Sequence, residues 1–311
     1  MSFDRDSPLA VVVGPTATGK SGLALELAWR LGGEIVNADA MSLYRGMEIG
    51  TARTPPNQRR GIVHHQIDVL DVTEEASVAA YQRHARDDIG GVWRRGRQPL
   101  LVGGSGLYIR AVTDRIDFPG QDPALRARWE AAGERHGGPY LHAELAKRDP
   151  AAATTIEPNN VRRLVRALEV IDLTGRPFAA QLPPHSAWRP VKIIGLRRDL
   201  AELDQLINQR VAAMMRAGLL DEVARLAERG LRGGRTASRA IGYREGLAVL
   251  DGQLTAVQAE AAVALATRQL ARRQLKWFRR DPRIRWLDAS QPGLVERALD
   301  ALDLADAEIA A

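Results

Sequence analysis

A chain of 311 residues carries 44 lysines and arginines against 38 aspartates and glutamates, a formal charge of +6 with histidine neutral. With 45% hydrophobic and 26% charged residues, its composition is that of a globular protein long enough to bury a sizeable core, not of a disordered one. Cysteine is absent, which excludes disulfides, thiolate metal sites and cysteine nucleophiles.

The opening residues mix acids and bases ahead of a short apolar run, so no secretory leader is expected. No run approaches the roughly 18 apolar residues of a membrane span. We expect a cytoplasmic monomer.

The run Leu9 to Val13 reads as a buried strand, and Leu23, Leu27 and Leu31, four apart, as the apolar face of a helix that Gly32 and Gly33 stop. Glu34 to Ala38 reads as a second strand ending at Asp39, Ser77 to Arg95 as a helix, and Leu100 to Val102 as a third strand running into Gly103 and Gly104. Strands alternating with helices predict a parallel α/β sheet whose ligands lie beyond the carboxyl ends of the strands, where Gly14, Asp39 and Gly103 fall. From Phe118 to Pro190 strand character disappears. Asp122 and Pro123 look like a helix cap and first helical residue, and Val161, Leu164, Val165, Leu168 and Ile171 line one helix face. Strand character returns at Val191 to Leu196, followed by helix from Asp199 to Arg229 and from Thr255 to Phe278. The division expected is a first core segment (8–117), an all-helical insertion (118–190) and a second core segment (191–311).

Gly14-Pro15-Thr16-Ala17-Thr18-Gly19-Lys20-Ser21 satisfies G-x-x-x-x-G-K-[ST] between a strand and a helix. Such a loop aims backbone N–H groups at phosphate oxygens, Lys20 adds charge and Ser21 can ligate Mg²⁺. The fold class is therefore a P-loop NTPase-like parallel sheet core with a helical insertion. Two motor or GTPase features are missing: the strand Leu100 to Val102 ends in glycines, not an acid that would hold Mg²⁺, and no Asn-Lys-x-Asp follows. A small-metabolite kinase stays open on the loop alone. Asp39, beside the loop, is either a turn cap or a general base.

Charge concentrates near the end. Arg268, Arg272, Arg273, Lys276, Arg279, Arg280, Arg283 and Arg285 face the single acid Asp281, a local excess above that of the whole chain. Such a cluster suits phosphate neutralisation, the alternative being a solvated helix face. His64 and His65 point apart on a strand and are read as structural, not as metal ligands. Trp277 and Phe278 are read as core; Tyr44 and Tyr243 are open between core and stacking roles.

The segment Asp39-Ala40-Met41-Ser42-Leu43-Tyr44-Arg45-Gly46-Met47-Glu48-Ile49-Gly50-Thr51-Ala52 resembles the tRNA dimethylallyltransferases. Further matches follow in order at His64-His65-x-x-Asp68, Gly103-Gly104-Ser105-Gly106-Leu107-Tyr108, Arg163 to Glu169, Arg239 to Arg244 and Ala266 to Trp277. Together with the loop they cover nearly all of the chain from residue 10 to 287.

The resemblance implies transfer of the five-carbon group of dimethylallyl diphosphate to N6 of the adenine 3′ of the tRNA anticodon, in tRNAs reading codons that begin with U. It implies that the loop cradles the diphosphate with Mg²⁺, that Asp39 is the general base, that Ser105 bonds near the reacting centre and that Arg239 stabilises the leaving group. It places tRNA contacts at Asp39, Ala40, Met41 and Ser42, at Ser105, at Arg126, and at Arg162-Arg163-Leu164-Val165-Arg166. Further contacts are implied at Arg239-Ala240-Ile241-Gly242-Tyr243-Arg244 and at Arg272-Arg273-Gln274-Leu275-Lys276-Trp277-Phe278-Arg279. Ala40 departs from the serine usual there, at the expense of one hydroxyl, and the zinc finger of eukaryotic relatives is missing, which implies a bacterial-type enzyme. Rival readings are prenylation of free AMP or ATP, with ATP competing for the loop, and an RNA-binding module without catalysis.

Overall fold

Leu9–Val13 (β1) is apolar on both faces and wholly buried, the pattern of a central parallel strand. The computed structural model describes residues 7–178 and 182–304; residues 1–6, which carry the reading of a leaderless start, 179–181 and 305–311 lie outside it. After β1 come α1 (Lys20–Arg30), β2 (Glu34–Asn37), the two-residue strand β3 (His64–His65), α2 (Val78–Arg94), β4 (Pro99–Gly103) and α3 (Gly106–Thr113). Residues Arg115–Ser186 then form a separate unit of α4 (Pro123–Arg148), α5 (Pro150–Ala153) and α6 (Val161–Thr174). The chain returns to the first unit with β5 (Val191–Arg197), α7 (Leu200–Arg216), α8 (Leu219–Glu228), α9 (Tyr243–Leu250), α10 (Ala256–Phe278), β6 (Ile284–Asp288) and α11 (Leu294–Ala301).

The six strands form one parallel sheet in the order β3-β2-β4-β1-β5-β6. Because β1 lies between β4 and β5, and β4 between β1 and β2, the loops after β1, β2 and β4 emerge side by side at one edge. Leu23 and Leu27 of α1 join Val11, Val12, Leu100, Leu101 and Ile194 in the main core. A second cluster, including Tyr44, Met47, Val223 and Tyr243, packs the segment after β2 against α8 and α9.

In the helical unit Leu141, Leu145, Leu164 and Leu168 close a core of their own around Trp129. The Asp122 carboxylate caps α4 by accepting from Ala124 and Leu125 N–H at 2.8 and 3.1 Å. Gly137, at φ +80°, interrupts that helix.

Three differences from the sequence reading have local causes. The helix expected across Asp199 to Arg229 is two helices, because Gly218 adopts φ +93° between them. The strand β6 was not anticipated: its Arg285, Trp286, Leu287 and Asp288 are not buried and give no continuous apolar run. Trp277 is not core; it is 38% exposed with its indole against Gly106, whereas Phe278 is buried as expected. Tyr44 and Tyr243 are both fully buried. No helix among the described residues is long and apolar enough to cross a membrane.

Candidate active site

The glycine-rich loop is shaped by its backbone. Gly14 takes φ +143°, and a Cβ there would stand 2.6 Å from the Leu196 carbonyl of β5, so only glycine lets the loop leave the sheet so closely. Ala17 and Gly19, both left-handed at φ 65° and 91°, turn the chain around ahead of α1. Left-handed residues between right-handed ones make a concave nest of N–H groups, and the helix N-terminus adds positive potential. Thr18 Oγ1 and Lys20 Nζ both donate to the Pro15 carbonyl, at 2.8 and 2.6 Å, folding the loop over itself.

Lys20 shares this place with Arg210 of α7, whose Nη1 donates to Thr16 Oγ1 at 3.0 Å. Burial, then the Arg210 charge, lower the Lys20 pKa from its ordinary 10.5 to about 7, with Asp39 opposing. Arg210 is itself lowered by burial. Two desolvated cations with one carboxylate nearby form a site organised for an anion.

Asp39 follows β2. Asn37 fixes its backbone at both ends, accepting the Asp39 N–H at 3.1 Å and donating to its carbonyl at 3.0 Å. Its Oδ1 accepts the Met41 N–H at 2.9 Å. Burial raises the Asp39 pKa, against the N–H groups of Met41 and Ser42 and the charge of Lys20, which lower it. From the end of β4, Ser105 bonds to the backbone on both sides of Asp39. Tyr81 supports the floor, its hydroxyl donating to the Asn37 carbonyl at 2.7 Å.

The site thus gathers Lys20, Asp39 and Ser105 from three loops, together with Arg210, which the sequence reading missed. Its signal was present: Leu203, Ile207, Arg210 and Met214 follow helical spacing, so an arginine sits in an otherwise apolar stripe. Arg239 is exposed on the 3₁₀ turn Ala237–Arg239 with no side-chain partner among the described residues. Arg210 touches the loop at Thr16. In the neighbouring segment Ala240 and Tyr243 are buried, Tyr243 donating to Glu222 at 2.6 Å, while Arg244 pairs with Glu245. Glu222 also accepts the N–H groups of Glu48, Ile49 and Gly50 at 2.8 to 3.2 Å, which anchors the segment after Asp39 to α8.

On α10, Leu275 and Phe278 face inward and Gln274 turns toward the loop, leaving Arg273, Lys276 and Arg279 exposed without side-chain partners among the described residues. Arg272 is paired with Asp204 at 2.7 Å. In the helical unit Leu164 and Val165 are core, so their side chains present no surface to RNA. Arg126 and Arg166 converge on the buried Glu169, at 3.1 and 2.9 Å, and Arg162 is exposed. His65 bonds Glu34 at 2.7 Å and His64 the Ile62 carbonyl at 2.9 Å, structural roles both.

The model of the IPP transferase family matches residues 42–281. The chain belongs to the IPP transferase family. A tRNA dimethylallyltransferase of Nocardia farcinica is 56% identical over 297 residues, 95% of this chain and 94% of that protein. The full-length tRNA isopentenylpyrophosphate transferase of Bacillus halodurans superposes with a TM-score of 0.71 at 38% identity, over 96% of each chain. A eukaryotic dimethylallyltransferase solved acting on tRNA gives 0.79 at 28% identity, covering 94% of this chain and 78% of its own. As in this IPP transferase chain, the fold of those structures is a P-loop-like sheet.

Proposed function

We propose that the chain transfers the dimethylallyl group of dimethylallyl diphosphate to N6 of the adenine 3′ of the anticodon, in cytoplasmic tRNAs reading codons that begin with U. The observation that carries this is the glycine-rich loop with Lys20 and Arg210 both bonded to it, beside the carboxylate of Asp39, whose charge acts on Lys20. Family membership supplies the reaction class, and the relatives of similar length act on tRNA by their names.

In this reading the allylic C–O bond breaks with its electron pair leaving on the diphosphate, and N6 of adenine bonds to the freed carbon. Lys20, Arg210 and the loop N–H groups oppose the charge that grows on the leaving oxygens. Asp39 takes the N6 proton, its proton affinity already raised by burial. Ser105 keeps Asp39 in place and retains its hydroxyl hydrogen for donation toward the acceptor. The Ser21 hydroxyl, exposed at the first turn of α1, is a hard oxygen that would suit Mg²⁺. When bound, the ion would neutralise part of the leaving-group charge. A stacked adenine presents N6 poorly to a half-buried carboxylate, so the base has to leave its stack to react. The exposed cations of α10 would hold the RNA backbone while it does.

Incubation with labelled dimethylallyl diphosphate, Mg²⁺ and unmodified tRNA, beside AMP and ATP as acceptors, tests this. Label is expected in tRNA alone; label in AMP or ATP would assign the chain to a different acceptor class.

A further inference from the structure

Helix α10 has two faces with different tasks. Outward it exposes Arg273 and Lys276, and Arg279 just past its end. Inward, Gln274 reaches between two loops from different strands: its Oε1 accepts the Thr16 N–H at 2.9 Å, and its Nε2 donates to the Gly104 carbonyl at 3.0 Å. Thr16 belongs to the glycine-rich loop, while Gly104 immediately precedes Ser105. The β1–β4 pairing ends at Val13 and Gly103, so Gln274 carries the connection onward where the strand ladder has stopped.

A primary amide is suited to this, offering an acceptor and a donor at fixed spacing on one planar group. The seat is close. A Cβ at Gly104 would collide with Gln274 Nε2, and one turn further on a Cβ at Gly106 would collide with the Trp277 ring. The helix therefore meets the turn that carries Ser105 through its Gln274 and Trp277 side chains, which lie against the glycine backbone.

We propose that Gln274 is a positioning residue for group transfer, fixing the spacing between the loop that holds the leaving group and the Gly104–Ser105 turn that holds Asp39. The proposal rests on the transfer reaction assigned above. Gln274 touches no reacting atom; it acts through Thr16 and Gly104. Because the same helix carries the exposed cations, RNA seated on α10 and diphosphate seated in the loop bias one shared element. We expect each ligand to strengthen the binding of the other, and by the same factor, since linkage makes the coupling reciprocal.

The test uses the full chain with Gln274→Met, which keeps the length and removes both hydrogen bonds, and Gln274→Glu, which keeps the acceptor for Thr16 and sets a carboxylate against the Gly104 carbonyl. Single-turnover transfer is expected to fall by about 100-fold in the Met variant, the usual penalty of a misplacement near 1 Å. Affinities for tRNA alone and for Mg²⁺ with inorganic diphosphate alone should be unchanged, the thermal midpoint should fall only slightly for two lost part-buried hydrogen bonds, and the gain in tRNA affinity that diphosphate gives the wild type should vanish. The Glu variant should behave like the Met variant. Wild-type transfer and intact coupling in the Met variant would overturn the proposal, as would a loss of transfer matched by a fall in affinity for either ligand alone. A wild-type protein that transfers no label would instead overturn the reaction itself, and the binding coupling measured with inorganic diphosphate would still decide the role of Gln274.

Discussion

Ser105 holds both peptides that flank Asp39: its N–H donates to the Ala38 carbonyl at 3.2 Å, and its hydroxyl accepts the Ala40 N–H at 3.2 Å. The carboxylate is thereby fixed by a residue from a different strand, and Asp39 Oδ1 closes the turn by accepting from Met41 at 2.9 Å. The Ala40 side chain takes no part in this frame. The hydroxyl that serine would offer at that position is therefore dispensable for holding Asp39.

Replacing Asp39 by Asn removes the base while keeping the turn's acceptor. Single-turnover transfer should fall by about 10²- to 10⁴-fold, the range of a lost general base, with tRNA affinity unchanged. Ser105→Ala should cost about tenfold, one hydrogen bond's worth of alignment. Equal rates in wild type and the Asn variant would remove Asp39 from the chemistry.

The pH dependence follows from two perturbed groups. Charged Lys20 is complete in the free enzyme below about pH 7 and is lost above it. Asp39, raised above its ordinary 3.8, must lose its proton to act as base. A bell-shaped kcat/KM for dimethylallyl diphosphate is expected, with the acid limb from Asp39 and the alkaline limb from Lys20. Stability runs the other way. Between about pH 7 and 10.5 the unfolded chain holds the Lys20 proton and the folded chain does not, so the Lys20 contribution makes stability rise with pH across that window. Lys20→Met should therefore raise the thermal midpoint at neutral pH while weakening diphosphate binding, a trade of stability for function. A lower midpoint in that variant would contradict the desolvated-lysine account.

Glu222 receives three backbone N–H groups and the Tyr243 hydroxyl from a buried position. Glu222→Ala strands all four donors, and at about 1 to 3 kcal/mol for each unsatisfied group the loss should exceed about 3 kcal/mol. Glu222→Gln keeps an acceptor and should lose less. Urea denaturation at neutral pH reads the difference, and an Ala variant as stable as the Gln variant would deny the anchor.

For RNA, the exposed and unpaired cations matter more than the charge count. Substituting Arg273, Lys276 and Arg279 together should weaken tRNA binding and flatten the slope of log affinity against log salt by about 2, on the scale of roughly 0.7 to 0.9 for each phosphate contact. Arg272, already paired with Asp204, should contribute less on its own. An unchanged slope in the triple variant, measured by filter binding from low to physiological salt, would move the RNA elsewhere.

The parts of the site written in contiguous residues were legible. The loop from Gly14 to Ser21, Asp39 at a strand end and the cap at Asp122 all lie where local pattern puts them. Partners that meet across long separations were not. Arg210 and Gln274 approach Thr16 from 194 and 258 residues away in sequence, and periodicity gives a side chain's face but not its partner. The same limit explains Glu222, which gives the segment around Gly50 its shape; a Cβ at Gly50 would stand 2.5 Å from the Tyr243 ring. Clustered charge misled in detail, because Arg272, Arg283 and Arg285 are bound to Asp204, to Asp114 and Asp281, and to Asp303, while Arg273, Lys276 and Arg279 have no side-chain partner among the described residues. Helix spacing put Leu164 and Val165 on an apolar face that is buried in the structure, whereas the resemblance had counted both among the tRNA contacts.

The most direct measurement is digestion of tRNA after reaction with labelled dimethylallyl diphosphate, followed by identification of the labelled nucleoside. The account predicts one product, N6-isopentenyladenosine at the position 3′ of the anticodon, and no label in a transcript that carries guanine there. Label at another position, or an equal yield from the guanine transcript, would contradict it.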